Sequence, residues 1–408
     1  MFLASLRRRG LFHATRLGIV ASLAVASLGV AAQTPPFGRT APKPLYRDPV
    51  FDGAADPVVI WNPHTERWWM FYTNRRANAP GLSGVAWVHG TRLGLAESAD
   101  GGVTWRHIGN CDIELPAAIG GQEPTHWAPE VITAPNGTHH MWLSVVPGIF
   151  ENWEHPRTLV HLTSTDLRRW THPEPLSLSS DRVIDACVLQ LEDGTWRLWY
   201  NNERDRKSIY FADSADLRQW TDRGKAIADQ QGEGPKVFRW KGAYWMITDV
   251  WQGLAVYRSL DALTWKRQPG PNLLQDPGKG VDDGVKGGHA DVAVTGSRAY
   301  LFYFTHPGRT PENAKADGTE QRRSSIQVVE LKEKDGALSC DRDLPTLIAL
   351  PHLGNDRDRA ALDQMGRTKA SSCSPRARTT STPSIPRSSP TTTVAFGWPL
   401  GPFGAGSN

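Results

Sequence analysis

Cys187-Val188-Leu189 is followed, after the turn Asp193-Gly194, by Trp196-Arg197-Leu198-Trp199-Tyr200, then by residues 209–212 and by Ser214-Ala215-Asp216 ending in Trp220. A short apolar run, a turn former and an aromatic strand make one hairpin, and the second half supplies another. The same order recurs along the chain. Val58-Val59-Ile60-Trp61 precedes Trp68-Trp69-Met70-Phe71-Tyr72, and Val131-Ile132 precedes His140-Met141-Trp142-Leu143. Lys236-Val237-Phe238 precedes Tyr244-Trp245-Met246-Ile247, and Asp291-Val292-Ala293-Val294 precedes Ala299-Tyr300-Leu301-Phe302-Tyr303-Phe304. Asn62-Pro63, Asn136-Gly137, Lys241-Gly242 and Gly296-Ser297 punctuate the hairpins. Two hairpins in each unit, at a spacing of roughly 45 to 75 residues, predict an all-β chain: a five-bladed β-propeller with four-stranded antiparallel blades. The propeller domain is expected over residues 33–350.

The outer halves carry Ser98-Ala99-Asp100 with Trp105, Ser164-Thr165-Asp166 with Trp170, and Ser259-Leu260-Asp261 with Trp265; the fifth copy, residues 326–331, lacks the Trp. These pieces read as structural: the polar side chains cap a turn while the indole packs between sheets. The chain has 17 Trp among 408 residues, which suits wide β-packing or stacking on flat ligands such as sugar rings.

The formal net charge of +4 divides unevenly. Residues 1–32 carry four basic groups and residues 366–408 carry five, neither with an acid, so the body between them holds 37 basic against 42 acidic groups. A mildly acidic body lacks the basic footprint that phosphate backbones demand, so no nucleic-acid partner is expected. Arg7, Arg8 and Arg9 ahead of the apolar run 17–30, with small residues at 30–32, read as a signal peptide over residues 1–32, hence an exported protein with no membrane partner after signal removal. Residues 366–408 are rich in Ser, Thr, Pro and Arg and are expected to be disordered. Cys111, Cys187, Cys340 and Cys373 show no C-x-x-C spacing and are too sparse for a disulfide framework, although one bridge is allowed.

In a propeller the innermost strand of each blade lines the central channel. Each inner strand here begins with an acid: Asp56 in Ala55-Asp56-Pro57, Glu130 in Trp127-Ala128-Pro129-Glu130, Asp185 in Ile184-Asp185-Ala186, Glu233 in Gly232-Glu233-Gly234-Pro235, and Asp291 in His289-Ala290-Asp291. Carboxylates brought together raise one another's pKa, which lets one act as an acid while another acts as a base.

These residues resemble the family 43 glycoside hydrolases and their five-bladed propeller relatives, and the likeness runs over nearly the whole body. Ala55-Asp56-Pro57 resembles the motif of the general base. Val183-Ile184-Asp185, followed by Glu192-Asp193-Gly194 and Trp196, is similar to the motif whose aspartate tunes and holds the acid. Gly232-Glu233-Gly234-Pro235-Lys236-Val237-Phe238 resembles the motif of the general acid, and Gly288-His289 the one that in many members sits beside a central metal ion or water. The third-blade aspartate is followed by Ala186 where Pro is usual, and Glu130 stands where Asp is usual.

The resemblance implies a carbohydrate substrate and an inverting mechanism with Glu233 as acid, Asp56 as base and Asp185 beside the acid. It implies no required cofactor, with a calcium ion in the channel as an allowed structural addition and His289 as its candidate ligand. Trp127, Glu130 and Asp291 are expected to bind substrate, Glu130 and Asp291 alternatively a cation. Arg75, Arg76 and Arg204 are candidates to read an acidic sugar, and the insertion at residues 80–89 a candidate for the pocket rim. The alternatives are a non-catalytic glycan-binding propeller and an anhydrogalactosidase- or sialidase-like enzyme. Sugar, linkage and oligomeric state are not legible in the sequence.

Overall fold

The computed structural model describes residues 38–313 and 317–354. The expected signal peptide and the tail from Gly366 lie outside the described residues, as does Cys373.

Five antiparallel sheets follow one another along the chain, each in the order first, second, third, fourth strand from its inner to its outer edge. The first strands are Ala54–Asn62, Thr125–Thr133, Val183–Gln190, Glu233–Trp240 and Gly288–Thr295. The second strands are Arg67–Asn74, His139–Val146, Trp196–Asn202, Ala243–Asp249 and Arg298–Thr305. The second blade gains an extra outer strand, Asp112–Ile113, which runs parallel to Arg169–Pro175. Helix is confined to single turns such as Ala86–Val88 and Ala117–Gly120. The fold is therefore an all-β, five-bladed propeller, as the repeats predict.

Second strands are buried on both faces, which is why they read as unbroken aromatic and aliphatic runs rather than alternating ones. Five apolar clusters fill the spaces between neighbouring blades: one and two, two and three, three and four, four and five, and five and one. A cluster joining the fifth blade to the first is what closes the ring. The Trp of each Ser-x-Asp turn adds a repeated contact, reaching back edge-on to the second strand of the preceding blade: Trp170 to Phe71, Trp220 to Trp142, and Trp265 to Trp199. Trp105 of the first blade reaches Phe302 of the fifth, so the same contact also spans the closure. The turns themselves are capped as expected: the Ser98 hydroxyl donates to Asp100, and Trp105 Nε1 donates to the Gly102 carbonyl.

The two ends of the described chain fasten the closure. Arg39–Thr40 pairs with Leu347–Ile348, Tyr46 bridges to Ile326 of the fifth blade, and Trp68 Nε1 of the first blade donates to the Pro351 carbonyl. Cys111, Cys187 and Cys340 are all free thiols.

Candidate active site

In every blade the first strand starts, and the antiparallel second strand ends, at the same face of the ring. That face carries a cavity of 610 Å³ whose walls come from the first-strand starts and from the loops that follow the second strands.

A bulge in each first strand re-aims the side chains there. Register slips between Ala55 and Val58, Trp127 and Glu130, Ile184 and Cys187, Glu233 and Lys236, and Gly288 and Ala290. The extra residue takes a positive φ in four blades: Asp56 (52°), Ala128 (36°), Asp185 (59°) and Gly234 (56°). A bulge with one residue in the left-handed region bends the strand and turns that residue out of the ladder; Asp and Gly tolerate this conformation best. His289 occupies the fifth bulge.

Asp56, Asp185 and Glu233 all line the cavity, together with Trp127 and His289. Asp56 Oδ1 and Oδ2 accept from a single Arg75 nitrogen at 3.1 and 3.2 Å, while another Arg75 nitrogen meets His306 Nε2 at 3.0 Å. Arg75 is thus divided between two partners and does not fork around the carboxylate. His289 Nδ1 lies 3.5 Å from Asp56 Oδ1. Asp185 Oδ2 accepts the Gly234 amide at 2.9 Å, which ties it to the residue next to Glu233. Its carboxyl is held well above the usual range by burial, then by the charges of Glu233 and Asp56. Glu233 accepts from Lys207 Nζ at 2.8 Å and from Trp251 Nε1 at 3.1 Å, which fixes both of its oxygens.

Sequence reasoning missed a fourth carboxyl. Asp249 ends the second strand of the fourth blade directly opposite Glu233. It accepts the backbone amides of Trp251 at 2.8 Å and His289 at 2.9 Å. Burial and the facing Glu233 charge push its pKa up to about 6. Its position was readable in principle, because the last residue of every second strand stands beside a first-strand start.

Glu130 and Asp291 are not where the sequence reading places them. They sit beyond the bulge, in a layer with Val58, Cys187 and Lys236, and neither lines the cavity. Lys236 Nζ lies 3.0 Å from Glu130 Oε2 and 2.8 Å from Asp291 Oδ1. A side chain of the fourth blade that reaches both the second and the fifth must cross the middle of the ring. The other oxygens of the two acids join blades, accepting the amide of Val188 at 3.1 Å and of Val59 at 2.8 Å. The five acids therefore do not form one ring: Asp56 and Asp185 occupy bulges, Glu233 precedes one, and Glu130 and Asp291 follow one. The slip of register separates them.

This layer also bears on a channel cation. The two carboxylates that would hold one already face a buried ammonium, the His289 ring faces Asp56 while its own backbone amide donates to Asp249, and no group of three His, Cys, Asp or Glu suited to a metal occurs among the described residues. Glu130 and Asp291 are thus already matched by Lys236.

Trp127 is at the cavity, with Nε1 donating to the Val88 carbonyl at 2.6 Å and the ring tilted against Trp153. Of the candidate arginines only Arg75 reaches the cavity. Arg76 donates to the Ala86 carbonyl, and Arg204 pairs with Asp181 on the exposed surface. The insertion at residues 80–89 does contribute to the rim, through Trp87 and Val88. Lys207, Glu203, Trp153, Trp251 and Arg309 also line the walls. All five lie on or beside connections after second strands, which carry no repeat signal.

The sequence profile described as Glycosyl hydrolases family 43 matches residues 46–337. Among solved structures, the chain is similar to a thermostable family-43 glycoside hydrolase (20% identity, TM-score 0.53, covering 75% of this chain and 98% of that one). It is also similar to a family 43 enzyme from Xanthomonas citri complexed with xylotriose (14% identity, TM-score 0.54, 77% and 97% covered). A third likeness is to an endo-1,4-beta-xylanase from Bacteroides thetaiotaomicron (18% identity, TM-score 0.51, 71% and 94% covered). No curated protein matches the sequence. With the profile spanning the whole ring, and the bulged strands bringing three of its acids to one cavity, the chain belongs to glycosyl hydrolase family 43 and is a glycoside hydrolase.

Proposed function

We propose that the protein is an exported glycosidase that trims plant- or algal-type polysaccharides or oligosaccharides with inversion of configuration. The observation that supports this most directly is the placing of Asp56 and Glu233 on different blades of one cavity, with Asp185 tied to the backbone beside Glu233. Glu233 protonates the departing glycosidic oxygen, and Asp56 takes a proton from the water that attacks the anomeric carbon on the opposite face. Arg75 and His289 orient Asp56, whereas Lys207 and Trp251 orient Glu233. Trp127 offers an aromatic surface to a sugar ring. Export rests on the arginine-bearing, apolar N-terminal stretch alone.

The test is a screen of aryl xylosides, arabinofuranosides and galactosides alongside xylo-oligosaccharides. Glu233→Gln and Asp56→Asn are each expected to lower kcat by about 10²- to 10⁴-fold. Proton NMR of the first-formed anomer reads the stereochemistry. Turnover that survives both substitutions, or a first product of retained configuration, refutes the assignment.

A further inference from the structure

The cavity holds six basic side chains, and most are already matched by acids. Arg75 meets Asp56, Arg157 meets Glu203, Arg182 meets Glu154 at 2.8 Å, and Lys207 lies between Glu203 at 3.3 Å and Glu233 at 2.8 Å. Arg309 and Lys286 are the exceptions. Neither meets a carboxylate among the described residues.

Both belong to the fifth blade's side of the cavity. Arg309 lies on the loop after Arg298–Thr305, and Lys286 just ahead of Gly288–Thr295. Arg309 Nε donates to the Gln321 carbonyl at 2.9 Å, and the guanidinium stands 5.6 Å from the Trp87 ring centroid. Arg309 lines the cavity and is exposed to solvent, and no hydrogen bond from its terminal nitrogens to a carboxylate occurs among the described residues. Asp317 is the acid whose charge reaches Arg309, but both of its oxygens are taken by Arg322 at 2.8 and 2.7 Å. Lys286 donates only to the Trp251 carbonyl. Partial burial, then the neighbouring Arg75 charge, push the Arg309 pKa down to about 10 against the opposing charge of Asp317; the side chain stays cationic, and Arg309 and Lys286 both keep solvent-exposed surface. His306, between Arg75 and Arg309, adds no charge, since burial and those two guanidiniums hold its pKa well below the usual value.

The cavity is therefore two-sided. Its floor carries Asp56, Asp185, Glu233 and Asp249, and one wall carries two uncompensated cations beside an indole. A neutral sugar leaves those cations unmatched. An anionic substituent would be repelled at the floor and held at the wall, which fixes the orientation of the ring as well as its identity.

We infer that this enzyme selects a glycan bearing an anionic substituent, the carboxylate of a uronic acid or a sulfate half-ester, and that Arg309 with Lys286 is the recognition site. The inference rests on the glycosidase reading above and adds the substrate class.

The experiment compares matched pairs: oligosaccharides from glucuronoxylan, pectin and a sulfated galactan, each beside its carboxyl-reduced or desulfated counterpart. Hydrolysis is followed with the native enzyme and binding with Glu233→Gln. The anionic member of at least one pair is expected to be preferred by about tenfold or more in kcat/KM, and Arg309→Gln to lower that ratio by about tenfold, with partial recovery in Arg309→Lys. Preference for pectin or glucuronoxylan fragments identifies a carboxylate, and preference for the galactan a sulfate. Hydrolysis of the neutral members as fast as the anionic ones, or an anionic preference untouched by Arg309→Gln combined with Lys286→Gln, overturns the inference and leaves the glycosidase reading standing. Arg309-dependent binding of anionic members without hydrolysis of anything overturns the glycosidase reading instead. Neither binding nor hydrolysis overturns both.

Discussion

Replacing Lys236 by Met removes the ammonium that crosses the ring and leaves its apolar stem. Glu130 and Asp291 then share the buried middle of the propeller with no counter-charge, although each still accepts one backbone amide. Breaking a buried ion pair by deleting one partner costs about 3–5 kcal/mol. In a domain of this size that corresponds to a fall in Tm of about 6–10 °C, at about 2 °C per kcal/mol. The dependence on pH has a definite sign. Burial pushes the Glu130 carboxyl up, Lys236 opposes this, and Asp291 pushes it further. Without Lys236 the folded-state pKa rises more, so the loss is small below the unfolded value of about 4.3 and grows as pH climbs through the folded value. In the native protein, Lys236 is itself raised well above the usual lysine value, burial opposing and the two acids prevailing. Its own titration therefore removes the contribution only in strong alkali, above about pH 10.4, while on the acid side the contribution shrinks as the carboxylates it pairs with become protonated. Calorimetry of Lys236→Met from about pH 5 to pH 8 reads the effect, and Lys236→Met combined with Glu130→Gln is expected to recover part of the loss. A variant within about 2 °C of native at pH 8, or a deficit that does not shrink on acidification, would refute the reasoning.

Three other outcomes are expected. Lys207 is raised because the charges of Glu233 and Glu203 overcome its burial; the coupling is reciprocal, so Lys207→Met lets the acidic cluster hold protons to higher pH and moves the alkaline limb of the kcat profile upward. An unmoved limb would separate Lys207 from the acid. Gly234→Ala places a Cβ 2.6 Å from the His289 ring at a φ of +56°, while its amide holds Asp185. Strain of about 1–3 kcal/mol there should lower kcat more than Tm, and a variant with native kcat would mean that the bulge tolerates a shift. Trp170→Ala empties a fully buried site against Phe71 and should cost about 3–5 kcal/mol in chemical denaturation, against little change in KM for a small aryl glycoside.

The ring and the number of blades were legible because their signals are local and repeated. Hairpin punctuation, doubly buried second strands and the Ser-x-Asp turns each recur, and each reports a contact made in the same way in successive blades. Asp56, Asp185 and Glu233 could be named because they stand beside those repeats, at first-strand starts. What the chain did not disclose is which way each acid points. Side chains alternate along a strand, so one extra residue in a first strand decides whether the next acid meets the cavity or the channel below it. The acids on the inner strands look alike in sequence, yet two of them hold Lys236 and only three line the cavity. Asp249, Lys207 and Arg309 escaped for a different reason. They come from the ends of second strands and the connections beyond them, where no period constrains the residue type. Sequence alone therefore determined the ring and the catalytic candidates on its inner strands. Tertiary structure decided the charge partners, because a partner across a closed ring lies on another blade, and only closure sets the distance between them.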